Sequence, residues 1–338
     1  MRASSQRTWQ VRLALMLIVG FAAAAACVVT LMWWKAPAAS GQDETTPTEP
    51  SFVVNCEFSH RDRVDPIVDF GINPSHHMHE FFGNTTTNAN STYKTLRAGG
   101  TNCDDPKDTA AYWIPRVSWT DSRGNTTKLT ASITRFYYRL GDKSPDVDVN
   151  PHPALDTNGD GQLDDGLKIV TVQGKNVEWR CMNTGAWSTT PPSRCDNLKL
   201  VVRIKFPDCL ALARDPQTGQ PIIDPTTGKP IPMLDTDPND PRFPDDHRSH
   251  MVDAVTPASG GKATCPTSHP YPVPRLQTNV EFPIPPTSGT PKLSSGAYST
   301  MHADFFNAWD QARLKRLVNR CINAAPFTNS NPKPTVCL

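Results

Sequence analysis

From Phe52 onward the chain is dominated by short runs in which apolar residues recur at every second position or crowd into brief apolar stretches. Leu198, Leu200, Val202, Ile204 and Phe206 fall on alternate positions, the period of a half-buried strand. Residues 111–119, 129–140, 167–172 and 278–284 read the same way, the second passing from an isolated Ile133 into an aromatic cluster. Helical patterns of adequate length do not occur between these runs, which argues against a parallel α/β sheet. The expected fold is all-β, an antiparallel β-sandwich-like domain with long loops and one C-terminal helix. That helix is placed in residues 307–323, with Asn307 as N-cap and Trp309, Leu314, Leu317, Val318 and Cys321 as its apolar stripe. Between Arg214 and Pro244 a nine-residue repeat, DPQTGQPII then DPTTGKPIP, carries Asp-Pro and Thr-Gly turn signals and reads as an elaborated surface loop.

The N-terminus follows a different pattern. Residues 13–34 form an uncharged apolar run of 22 residues, long enough to span a bilayer. Arg2, Arg7 and Arg12 precede it, so residues 1–12 are expected in the cytoplasm and the rest outside. A signal segment cleaved after Ala36-Pro37-Ala38 is the competing reading, and it too exports the domain, as a secreted protein. Residues 35–51 mix Pro, Thr, Ser and acids and read as a flexible linker, leaving 52–338 as the extracytoplasmic β-rich domain. The membrane is expected as a partner through the N-terminal segment only.

Composition narrows the classes. A net charge of +1 without any Lys/Arg block gives no electrostatic footprint for nucleic acid. Of nine cysteines, Cys27 lies in the apolar run, and the remaining eight contain no C-x-x-C pair. In an oxidising compartment they are expected to form disulfides, with Cys181–Cys195 and Cys321–Cys337 preferred because short loops close at least entropic cost.

Seven of the nine histidines sit in four polar clusters. His77 and His79 alternate along one extended segment and therefore share a face, which suits a metal site or a proton-transfer pair. Asp246, His247 and His250 form a second cluster, His269 a third, His302 and Asp304 a fourth. Histidine beside carboxylate at several points suggests convergence in one cleft. A separate stretch, DTNGDGQLDDG, places Asp156, Asn158, Asp160, Gln162 and Asp164 as in a calcium loop, although Leu167 stands where the loop's twelfth-position carboxylate belongs. Calcium at 156–165 and a transition metal at the histidines are the cofactors to test. The zinc-protease, nucleophile-elbow and phosphate-loop motifs are missing from the sequence.

The ordered segments RVDPIVDFGINPSHHMHEFFGN, LRAGGTNCDDPKDTAAYWIP, DDHRSHM, CPTSHPYPVPRLQTNVEF and LSSGAYSTMHADFFNAWDQARL resemble the secreted domain-of-unknown-function family numbered nineteen ninety-six, from about Val53 to Ile322. His77, His79, Tyr112, Trp113, Asp246, His247, His250, His269, His302 and Asp304 occupy matching positions. Ser75-His76 and Ala308 depart from the usual Ser-Gly and Gly. The resemblance implies an extracytoplasmic domain and supplies no reaction.

From the residues, a glycoside hydrolase-like enzyme acting on extracellular or cell-wall polysaccharide is the leading expectation. Asp304 and Asp246 are its acid/base pair, with His77, His79, His250 and His302 shaping protonation and Tyr112, Trp113, His247 and His269 contacting substrate. Asp65 and Glu80 are further carboxylates, and Trp113, Trp119, Trp179, Trp187 and Tyr271 are candidate sugar platforms. Two alternatives stand beside it: a non-catalytic glycan- or metal-binding module, and a hydrolase or oxidase with a histidine-held metal.

Overall fold

The structure is a computed structural model that describes residues 49–156, 159–234 and 247–324. Two antiparallel sheets make the body. The larger has six strands in the order Ser51–Asn55, Ile133–Arg139, Arg275–Pro283, Lys199–Lys205, Val177–Cys181 and Thr184–Ser188. The other has five, in the order Lys168–Val170, Asp304–Phe306, Ala111–Pro115, His79–Gly83 and Phe58–Asp62. Among the described residues no helix is long and apolar enough to cross a membrane. The apolar run 13–34 lies outside them.

Alternation fixes which side chains meet. Leu200, Val202 and Ile204 of the larger sheet face Phe82, Tyr112 and Phe305 of the smaller one in a single apolar core. There Tyr112 and Phe136 rings stack with centroids 3.7 Å apart. The opposite face of the five-stranded sheet is also covered. Phe81, Ala111, Trp113 and Phe306 point that way and pack against Val64 and Ile67 of the preceding loop and Tyr93 and Leu96 of a helix, Tyr93–Ala98. The smaller sheet is therefore buried on both sides, which is why its strands read as continuous apolar stretches such as AYWI instead of alternating.

The sequence-based strands are present with shifted ends, and four features differ from expectation. Helix Tyr93–Ala98 was not anticipated; Thr92 and Thr95 form a reciprocal capping box that starts it. The C-terminal helix begins later, at Gln311–Val318, with Asp310 as N-cap accepting from the Arg313 amide. Asn307 is instead a buried connector: its Nδ2 donates to the carbonyls of His152 and Pro153, and its Oδ1 accepts from the Trp309 amide. A polar side chain with three backbone partners satisfies a turn from inside, a role that composition does not distinguish from capping. Leu198, placed on the apolar face by periodicity, is 39% exposed and has a positive φ of 55°, so it ends the turn before the strand.

Disulfides join Cys56–Cys103, Cys181–Cys195 and Cys209–Cys265. Cys321 is also disulfide-bonded, while Cys337 lies outside the described residues. Beneath Cys209, Asp208 is fully buried and pairs with Lys143 Nζ and, at 3.3 Å, with Arg275 Nη2; its second oxygen accepts from the Ala254 amide at 2.8 Å.

The repeat folds as two identical Asp-Pro turns. Asp215 and Asp224 each accept from the glycine four positions on, and each donates to the carbonyl five positions on. Positions 213, 222 and 231 then close a ring: Ile222 donates to Ala213, Ala213 to Ile231 and Ile231 to Ile222.

Removing the carboxylate beneath Cys209 leaves the buried ammonium of Lys143 with the Leu140 carbonyl and no counter-charge at contact, while Arg275 keeps its pair with Asp142 at 2.6 Å. Asp208→Ala is expected to lower unfolding free energy by roughly 3 to 5 kcal/mol, read from the midpoint shift in urea. A shift near zero would show that Lys143 finds another partner.

Candidate functional site

The histidines converge on the covered face of the five-stranded sheet. His79 opens the strand His79–Gly83 and shares a face with Phe81, two residues on. Asp304 opens the short strand Asp304–Phe306 and lies directly across from Trp113, which in turn lies across from Phe81. His302, two residues before Asp304, projects to the same side. The loop that crosses this face contributes Asp65 at one end and His77 at the other.

Donor atoms of His77, His79 and His302 all lie within 4.8 Å of one another, and so do those of Asp65, His79 and Asp304. His77 Nε2 and His302 Nε2 are 3.3 Å apart, and His302 Nε2 is 3.8 Å from Asp304 Oδ2. Only His77 is partly exposed; His79, His302, Asp65 and Asp304 are buried. Solvent thus reaches the cluster past His77.

The hydrogen bonds define which atoms are available. A carbonyl oxygen only accepts, so the contacts His79 Nδ1 to Val64 O (2.9 Å) and His302 Nδ1 to Thr300 O (2.8 Å) place both ring protons on Nδ1. Each Nε2 is left with its lone pair directed into the cluster. His79 Nε2 and both carboxylate oxygens of Asp304 are buried and have no hydrogen-bond partner. Asp65 spends one oxygen on the amides of Ile67 and Val68.

Burial sets the protonation. It lowers His77 and His79 to about 4, with neighbouring imidazoles adding to the effect, and it lowers His302 as well. Burial raises Asp304 well above the usual carboxylate range, assisted by Asp65 and opposed by the Arg248 guanidinium; burial raises Asp65 too. Burial therefore disfavours the charged forms of both partners in the His302–Asp304 contact.

Other expected site residues lie elsewhere. Tyr112 points into the main core, where its hydroxyl bonds Asp108 Oδ2 and Tyr138 Oη at 2.7 Å each. Trp113 is on the cluster's face but only 1% exposed, and its indole nitrogen is unpartnered. Trp119 and Trp179 are equally buried, so these three are not sugar platforms; large apolar rings of two-sided strands fill the core. Trp187 is half-buried under the guanidinium groups of Arg180 and Arg203, 4.2 and 4.0 Å from its ring. Glu80 points away from the histidines and pairs with Arg61 at 2.7 Å. His247 packs its ring 5.4 Å from that of Phe70, an exposed residue of the loop between Asp65 and His77. His250 lies near His269, whose pKa it helps to lower. Asp246 lies outside the described residues. In the acidic loop, Asp156 accepts from the amides of Gly159, Asp160 and Gly161, and Asp160 from that of Gln162. Asp164 donates its amide to Leu155 O, Asn158 lies outside the described residues, and Leu167 is in the core.

Fold and site define a β-sandwich domain with a buried histidine–carboxylate cluster. Residues 65–219 match the family model of a domain of unknown function (DUF1996). The match includes Asp65, His77 and His79, while His302 and Asp304 lie beyond it. No curated protein and no solved structure matches the chain.

The depressed imidazoles make the cation-free protein acid-labile in a defined window. His79 protonates near 6.5 when unfolded and near 4 when folded, so its contribution is present above 6.5 and is lost as pH falls toward 4. The amount is on the order of 3 kcal/mol. His79→Gln, which does not titrate, should flatten the loss of stability between those pH values in chelator-treated protein, measured by urea titration across pH. An unchanged slope would mean that His79 is not the responsible group.

Proposed function

We propose that the exported part of this chain is a metal-dependent hydrolase built on His77, His79 and His302, with wall or extracellular polysaccharide as its substrate class. The observation that carries this reading is the preset geometry of the imidazoles. Two rings are locked by Nδ1–carbonyl bonds with their Nε2 lone pairs converging, the outer-shell arrangement that orients histidine ligands. The 3.3 Å between His77 and His302 nitrogens equals the separation of about 3.3 Å between two ligands bonded tetrahedrally at 2.0 to 2.1 Å. Imidazole with carboxylate suits zinc, copper, iron or nickel.

Such an ion supplies a Lewis acid and makes hydroxide available near neutral pH. The protein's own residues do the rest. Asp304, whose oxygens face the cluster without partners, is placed to take a proton from an attacking water. Its burial gives it the raised proton affinity such a role needs. His79 and His302 are held rigidly by the sheet, and half-exposed His77 borders the way in. Polysaccharide is supported by the expected export and by the disulfide framework; burial of Trp113, Trp119 and Trp179 takes away three of the five aromatic platforms that first pointed to it.

Purified protein should contain a transition metal and release soluble products from at least one wall polysaccharide in a panel. Chelation should abolish release, and zinc should restore it. Asp304→Asn should retain the metal and lower turnover by about a hundredfold or more, with little change in Tm. Product release that survives chelation would return the site to metal-free acid–base chemistry. Metal without turnover would make the domain a binding module.

A further inference from the structure

The loop from Asp65 to His77 leaves apolar side chains in water beside the histidine–carboxylate cluster. Phe70 is 42% exposed, and Val68 and Ile72, two positions to either side of it, are 53% and 54% exposed. An apolar patch rimmed by polar groups marks a place where a ligand sits. The loop that carries this one is tied down on both sides of Phe70. Asp69 Oδ2 accepts from Ser75 Oγ and from the amide and Nδ1 of His76, the Gly71 amide donates to Ala89 O at 2.8 Å, and the Ile72 amide donates to Asp69 O at 2.9 Å. The three side chains are thus held out by a fixed backbone.

Two chain segments bring this patch to the site. The clasp between Asp69 and His76 joins the arms of the loop, so Phe70 and His77 each stand one residue beyond the same contact. From the other direction comes the segment 247–249. The Ser249 amide donates to Lys168 O at 2.8 Å and Ser249 Oγ accepts from the Lys168 amide at 3.1 Å, which fastens the segment to the strand beside Asp304–Phe306. His247 then reaches Phe70, with ring centroids 5.4 Å apart and planes tilted by 40°. Its φ of 55° lies in the left-handed region that a residue with a Cβ seldom adopts, a conformation that gathers at binding sites. Loop and segment therefore meet through one aromatic pair, and Phe70 is its more exposed member.

We infer that Phe70, backed by His247 and flanked by Val68 and Ile72, is the platform on which a sugar ring of the polysaccharide stacks beside the cluster. The inference rests on the polysaccharide reading above and names the residue that grips the substrate. A pyranose ring presents an apolar face of C–H groups bounded by hydroxyls, and an aromatic ring offers that face a flat apolar partner. The patch has the matching make-up: three apolar side chains, with exposed Asn73, His76 and Arg248 as the polar groups around them. A bilayer surface would instead call for a continuous apolar face ringed by basic residues, and residues 65–77 contain neither Lys nor Arg.

The test is binding by the full-length chain in detergent, treated with chelator so that nothing is cut during the measurement. The wild type should be retained by at least one of insoluble cellulose, chitin, xylan, β-1,3-glucan and peptidoglycan. On that polymer Phe70→Ala should raise Kd about tenfold or more, and Phe70→Leu, which keeps apolar bulk and removes the ring, should do the same. Phe70→Trp should stay within about threefold of the wild type. Because Phe70 is a surface residue outside the histidine triad, none of the three should change Tm or the metal content of the untreated chain. Binding that Phe70→Leu leaves at the wild-type level overturns the platform and leaves the polysaccharide reading intact. A wild-type chain retained by none of the five polymers overturns both.

Discussion

A buried imidazole must dispose of two nitrogens, and His79 shows how this fold does it. One nitrogen gives its proton to the Val64 carbonyl; the other is left bare in a dry space beside His302 and Asp304. An unpaired buried polar atom carries a penalty of roughly 1 to 3 kcal/mol, and here several gather in one place. A sheet accepts that cost only where something outside the chain repays it or where packing elsewhere is in surplus. Both sides of this sheet are covered by apolar residues, so the surplus exists.

The arrangement of layers explains why the cluster is both rigid and reachable. Phe81, Trp113 and Phe306 anchor the same face that presents His79, His302 and Asp304, so the strand backbone is fixed by packing before any ligand arrives. The loop from Asp65 to His77 closes the cluster from above. Its own bonds hold it: Arg63 donates to the carbonyls of Ser75 and His76, and Asp69 accepts from Ser75 and His76. Half of the site therefore rides on sheet and half on a loop that is stitched to itself.

Much of the fold was legible because a period of two is a direct imprint of sheet geometry. Val202 and Ile204 went where their spacing put them. The strand Ala111–Pro115 was legible as a strand, but not its environment: an unbroken AYWI run means both faces are covered, and that moved Trp113 from a sugar platform to core filler. The local bridge Cys181–Cys195 followed from loop entropy, whereas Cys56–Cys103 and Cys209–Cys265 depend on strand order, which spacing does not encode. At the site, the alternation of His77 with His79 and of His302 with Asp304 was visible, and their convergence across 225 positions is what the sheet supplies. Asp65 was visible only as a carboxylate in an Asp-Pro turn. Its approach to Asp304 is a tertiary fact without a local signal.

The paired Asp-Pro turns have a separate consequence. An open ladder tolerates an extra rung, because each rung needs only its neighbours. The backbone bonds at 213, 222 and 231 instead make a closed triangle in which every corner both gives and receives. Such a triangle has no free edge to recruit a foreign strand, and its side count is set by closure. The two copies of the repeat thereby depend on each other: each supplies one corner, and the loss of either leaves a donor and an acceptor at the remaining corners without their partner.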